Sequence, residues 1–287
     1  MTRQRVGRVL GVGIALVVFA TLWELYKLVG GAFDGYWPGT TIDLPISPDD
    51  LTMPHVHEIL GTLFDPVRRG SSEPLFVFLL RAAWFTLKEA AFGFAFGAII
   101  GLTLAVVMLR WKFLDRGLGP WINISQTVPL IALAPIVVIW GRSTFLSDTQ
   151  SVSLIAAYLT FFPVAVNGLA GLKSPQSQDL ELMESYAAPW ASTMWKLRLP
   201  AARPYLFPAF KLAATLSVVG AIVGEISAGV PGGLGRVILD FAGRYSTGPE
   251  KLYAGVLGAA LLGLFVFALT LLVERFVLRG QVEVDHV

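Results

Sequence analysis

The sequence predicts an all-α, polytopic membrane protein with about six transmembrane helices, and three observations carry that prediction. Apolar residues make up 55% of the 287 and charged residues only 15%, where a soluble domain has about a quarter charged; mean hydropathy is +0.66. The charges fall between long apolar stretches, as expected where hydrocarbon replaces water as solvent. The 29 Gly, 17 Pro and 8 Trp suit broken helices packed through small residues, with indole rings in the headgroup zone. A net charge of +2 with no basic run points to no nucleic-acid partner. The absence of cysteine excludes disulfides, thiol catalysis and Cys-based zinc sites.

Arg3, Arg5 and Arg8 precede an apolar run at 9–23. A signal peptide begins in the same way, but the run ends in Leu-Trp-Glu-Leu-Tyr at 22–26, without the small residues that cleavage needs. Residues 1–30 are therefore read as an N-terminal transmembrane helix, with Trp23 and Tyr26 at the far interface. Residues 31–75, rich in Pro and acids, read as an extracytoplasmic connection with a short helix at 55–64. His55 and His57 beside Glu58 do not form His-Glu-x-x-His and are read as solvated loop residues; no metal site and no cofactor is expected.

The apolar stretch 75–109 is too long for one simple span, so its first part is expected at the interface and the span proper at 90–109. Gly93, Gly97 and Gly101 recur on one helix face there, the small-xxx-small device for close packing. Arg110, Lys112 and Arg116 mark a cytoplasmic turn. A third span at 118–140 carries Pro120, Pro129 and Pro135, and a fourth at 152–172 carries Pro163 and Asn167. A polar stretch at 173–204 leads to a fifth span at 205–230, and residues 231–250 to a sixth at 252–273. Residues 76–277 form the expected core, and 278–287 a cytoplasmic tail. With the N-terminus inside, Lys and Arg near span ends favour the cytoplasmic side two to one, so both termini are expected in the cytoplasm.

The polar stretch holds the most informative motif. Glu181 and Glu184 share a helix face, and Met183, Ala187 and Trp190 read as an apolar stripe. A short amphipathic helix of this kind, lying outside the bilayer, can seat that stripe in a groove on a soluble partner. The run Glu-Leu-Met-Glu-Ser-Tyr-Ala-Ala at 181–188, closing in Leu197-Arg198-Leu199-Pro200, resembles the EAA loop of binding-protein-dependent ABC transporter permeases. That resemblance puts the family's Glu on Glu181, its Gly on Ala187 and its Ile on Leu197, with Leu182-Met183 in place of the two alanines. Ala187 stands where a glycine supplies positive φ at little cost.

A second motif, Ser125-Gln126-Thr127-Val128-Pro129 continuing through Pro135 to Trp140-Gly141, resembles the third span of the nitrate, sulfonate, taurine and thiamine-precursor branch. Glu225 and Gly232-Gly233-Leu234-Gly235 fit the same branch. The resemblance implies a MetI-like permease fold in a prokaryotic inner or plasma membrane. It also implies partner ABC ATPase subunits, an extracytoplasmic solute-binding protein and a second permease subunit, expected as a homodimer.

Pro129 and Pro135 each free a backbone carbonyl inside an apolar span. Such breaks are tolerated where backbone lines a cavity, and transporters place solute sites at them. Gln126, Thr127, Pro129 and Pro135 are therefore candidate pathway residues, with a kinked, packed helix as the plainer alternative. Glu225 is a second candidate because intramembrane acids are costly, with an interfacial partner bond as its alternative. Asn167 is a third, weighed against a helix-packing hydrogen bond, while Lys211 is expected to snorkel towards the cytoplasm.

No phosphate loop, nucleophile elbow or triad is present, so the chain is not expected to be an enzyme and ATP hydrolysis falls to another subunit. An ion-coupled secondary transporter is the alternative, and it would show more intramembrane carboxylates and an internal repeat. The absence of a basic residue inside a span favours a neutral or aromatic cargo, such as a thiamine pyrimidine precursor or riboflavin, over nitrate, sulfonate or taurine.

Overall fold

The computed structural model describes residues 2–37, 39–68, 70–144 and 146–278, without the side chains of residues 2–10, 12 and 16. The side chains of Arg3, Arg5 and Arg8, together with Arg69, Arg279 and the expected tail at 278–287 beyond Leu278, lie outside what the structure describes. Among those described, regular structure is helical, and extended pairing is confined to the isolated bridges Tyr36–Asp43 and Pro66–Pro74. The chain divides into two compact units, one of residues 1–80 with 238–257 and one of 81–237 with 258–287.

In the first unit, α1 (Thr2–Ala32) precedes the connection that carries α2 (Val56–Gly61) and a 3₁₀ turn at Thr62–Phe64. The polar tips of the expected interfacial aromatics hold this connection. Trp23 Nε1 donates to Pro54 O at 3.0 Å and Tyr26 Oη to Ile46 O at 2.9 Å. The buried Lys27 ammonium meets Asp50 at 2.7 Å, and that hydrogen bond holds the Asp50 carboxyl below the usual carboxylate range. Lys251 and Tyr253 donate to the carbonyls of Pro66, Val67 and Thr52.

The second unit is organised around α6 (Asp148–Leu172), whose Ser147 and Gln150 form a capping box that satisfies two orphan donors. On one side lies α3 (Leu75–Arg110), on another α9 (Leu199–Ala228). A Cβ on Gly97 would fall 2.5 Å from Ala157 O, and one on Gly220 would fall 2.7 Å from Ala156 Cα. Glycine is what lets both helices reach the backbone of α6. Ala156, Ala157, Val164 and Ala165 are buried at these crossings.

Three boundaries differ from the sequence expectation. Residues 75–110 form one uninterrupted helix of 36 residues; Arg81, Lys88 and Glu89 do not break it, because charge alone removes no backbone hydrogen bond. The third span is instead two helices, α4 (Lys112–Ser125) and α5 (Leu130–Ser143), meeting at 103°. Pro129 cannot donate, and the residue before it is steered away from helix, so the chain turns there. The fifth span starts earlier, since helical backbone runs from Trp190 to Ala228 over 39 residues. Five described helices are long and apolar enough to cross a membrane, and the bent pair makes a sixth if it counts as one span.

Candidate functional site

Residues 173–204 form a compact helical element. Its first helix, α7 (Ser177–Ser185), ends because Ala187 adopts a left-handed φ of +48°. Ala188 N–H then reaches Met183 O at 3.0 Å and Ala187 N–H reaches Glu184 O at 2.8 Å, the paired bonds of a Schellman motif. Pro189 follows and caps α8 (Trp190–Thr193). A π-helical turn at Met194–Arg198 then leads into α9, with Leu199 N–H bonded to Met194 O. Leu199 and Pro200 therefore lie where the π-helical turn passes into α9, inside helical backbone that runs on from Trp190. Met183, Ala187 and Trp190 do not form a stripe: they lie on a helix, a turn and a second helix.

The element is fastened to the bundle. Met194 is buried among Ala105, Leu172 and Ala202. Arg198 Nη1 donates to Leu172 O at 2.7 Å, satisfying an orphan carbonyl at the end of α6. Ser174 Oγ bonds Gly171 O and Ala201 O, and Lys173 pairs with Asp115 at 2.6 Å. The opposite face is open. Tyr186 is 76% and Trp195 73% exposed, and Leu182 and Trp190 are exposed beside them. Glu181, Glu184 and Ala187 are also exposed, and among the described residues neither glutamate has a side-chain hydrogen bond or ion pair.

At the break between α4 and α5, Gln126, Thr127 and Pro129 are exposed, and so is Pro135 within α5. Thr127 Oγ1 donates to Ile124 O at 2.8 Å, and Tyr158 Oη donates to Ser125 O, pinning the break to α6. Asn167 Nδ2 donates to Pro163 O at 2.8 Å within its own helix. Lys211 pairs with Glu274 on α11 (Pro249–Leu278) at 2.8 Å. That partner, 63 positions away, has no local sequence signal.

Glu225 is fully buried. It accepts from Thr86 Oγ1 at 2.6 Å and from Gly235 N–H at 2.6 Å, while Leu234 N–H reaches Thr86 Oγ1 at 2.9 Å. The carboxylate thus receives the N-terminus of α10 (Leu234–Ala242), where orphan donors and the helix dipole favour an anion. Added Cβ atoms on Gly233 and Gly235 would lie 2.1 Å from Glu225 Cδ and 2.3 Å from Ile222 O, which accounts for the glycines of that motif. Beside it lies the buried carboxyl group of Glu89, which faces Glu225. Thr86 and Glu89 escaped the sequence reading although their spacing of three puts them on one helix face. At the same end of this unit, Arg142 ties α5 to Asp148 of α6 at 2.8 Å and to Ala228 O of α9 at 2.9 Å.

Residues 93–279 match the family described as the binding-protein-dependent transport system inner membrane component. The chain belongs to that family. A formylaminopyrimidine transport permease of Halalkalibacterium halodurans is 34% identical over 211 residues, covering 72% of this chain and 79% of that one. A protein of Bacillus subtilis named as a putative aliphatic sulfonates transport permease is 28% identical over 196 residues, covering 68% of each chain. The fold is that of the permease chain in inward-facing crystals of the MetNI methionine ABC transporter, with a TM-score of 0.63 at 21% identity, covering 72% of this chain and 99% of that one. This permease is accordingly a multi-pass inner-membrane subunit of an ABC importer, a transport component and not an enzyme, and its family works with a separate ATPase.

Proposed function

We propose that residues 173–204 couple this permease to its ATPase, that the α4–α5 break lines the solute path, and that the cargo is a neutral heteroaromatic nutrient. The observation that carries the coupling role is the combination of an anchored inner face, Met194 and Arg198, with an open outer face of Leu182, Tyr186, Trp190 and Trp195. Such a face suits insertion into a groove, and a rigid inner anchorage lets motion of the groove reach α6 and α9. Residues 76–277 are the translocation core, both termini lie in the cytoplasm, and two copies assemble around the path. The exposed Ile131, Ile136, Ile139 and Trp140 of α5 supply apolar surface for that assembly.

The cargo assignment rests on charge. Gln126 and Thr127 offer hydrogen bonds without charge at the break, and Lys211 is neutralised by Glu274. The relative named for formylaminopyrimidine transport points the same way. Asn167 and Glu225 act on the path indirectly, Asn167 through the packing of α6 and Glu225 by holding α9 to the start of α10. Glu181 and Glu184 offer acceptors to basic residues of the ATPase.

Glu181→Lys tests the coupling role. Losing one charge-assisted hydrogen bond costs about 1.5–3 kcal/mol, so the variant should reach the membrane at wild-type level yet lose solute uptake and co-purify poorly with the ATPase. Normal uptake and co-purification would remove Glu181 from the coupling contact.

A further inference from the structure

We propose that Glu24, His55 and His57 form a site for a divalent transition metal, with Zn²⁺ as its most suitable occupant. The three side chains come from α1 and from the entry to α2. One ligand atom from each lies within 4.8 Å of the others. His55 Nδ1 is 2.7 Å from Glu24 Oε2, and the His55 and His57 rings sit 5.3 Å apart at a tilt of 37°.

Two imidazoles and one carboxylate form the donor set of an open zinc site, which leaves a fourth position for water. Nitrogen donors in the majority disfavour Ca²⁺ and Mg²⁺, which prefer oxygen throughout. Ligand atoms on tetrahedral zinc lie about 3.3 Å apart, given bonds of about 2.0–2.1 Å. The hydrogen bond between His55 and Glu24 must open by a fraction of an ångström to admit the metal, and His57, which is exposed, can turn in.

The surroundings add what an isolated trio would lack. Glu24 Oε1 accepts from Val56 N–H at 2.7 Å, and His55 N–H donates to Glu58 at 3.0 Å. These bonds orient the carboxylate and the histidine backbone, as outer-shell partners do in metal sites. An approach route is present as well. His57 lines a cavity of about 670 Å³ together with Asp50, Glu58, Asp65 and Glu250, and carboxylates around a concave surface raise the local cation concentration. The bound metal would staple the end of α1 to the connection that follows it. This inference does not depend on the coupling or cargo assignments.

The test is equilibrium dialysis of the full-length, tag-free protein in detergent against ZnCl₂, with MgCl₂ in parallel, and X-ray absorption at the zinc edge. One Zn²⁺ per chain should bind, with two imidazoles in its shell and no comparable Mg²⁺ uptake. His57→Ala removes an exposed side chain and should leave folding intact, yet weaken Zn²⁺ binding by at least about tenfold. Substoichiometric zinc, equal binding by His57→Ala, or a shell without imidazole would overturn the site and leave Glu24–His55 as a hydrogen-bonded clamp.

Discussion

Ala187 carries a conformation that its side chain resists. At φ +48° it closes the Schellman turn, and a left-handed L-residue costs about 1–2 kcal/mol. Glycine would remove that strain but would have more unfolded-state freedom to lose, which offsets about 0.4–1 kcal/mol. Ala187→Gly should therefore keep transport and match or slightly raise the thermal midpoint in detergent. Ala187→Val, β-branched at the same φ, should lower the midpoint clearly; an unchanged midpoint would show that the turn is not held left-handed. The sequence already hinted at this turn, because Ala187 falls on the family's glycine. Pairings such as Lys211–Glu274 and Thr86–Glu225 had no comparable hint, since they join residues far apart in the chain.

Among the helices, the glycine spacing was readable because its cause is local. Gly93, Gly97 and Gly101 fall on one face, and all three meet α6. Gly97→Ala should force α3 from α6 and destabilise by about 1–3 kcal/mol, the usual cost of overpacking. Gly119→Ala, with nothing within 4 Å of the added atom, should be neutral or mildly stabilising. A thermal midpoint series checks both, and equal effects would refute the packing role. Helix ends were less legible. Pro129 caps the start of α5 beside the 103° bend, whereas Pro200 lies within helical backbone that runs on from Trp190 to Ala228. A proline removes one donor in either setting, and whether that breaks a helix depends on whether the donor was needed.

Coupling and solute passage both depend on the side of the membrane each segment occupies. Within the second unit, Asp115–Lys173 and Arg198–Leu172 gather one set of helix ends, and Arg142 with Asp148 and Ala228 gathers the other. Basic residues favour the first set for the cytoplasm. Reporter fusions after Gly31, Lys173 and Val287 should read outside, inside and inside, and a cytoplasmic signal at Gly31 would break the six-span arrangement. Contact between residues 173–204 and the ATPase can be read by site-specific cross-linking, because the chain contains no cysteine. Tyr186→Cys places one thiol on the most exposed part of the turn. In the assembled complex with its cognate ATPase, a short thiol-to-amine cross-linker should join the two subunits from residue 186 but not from Gly31→Cys. An intact complex in which Tyr186→Cys gives no cross-link to the ATPase would contradict that contact.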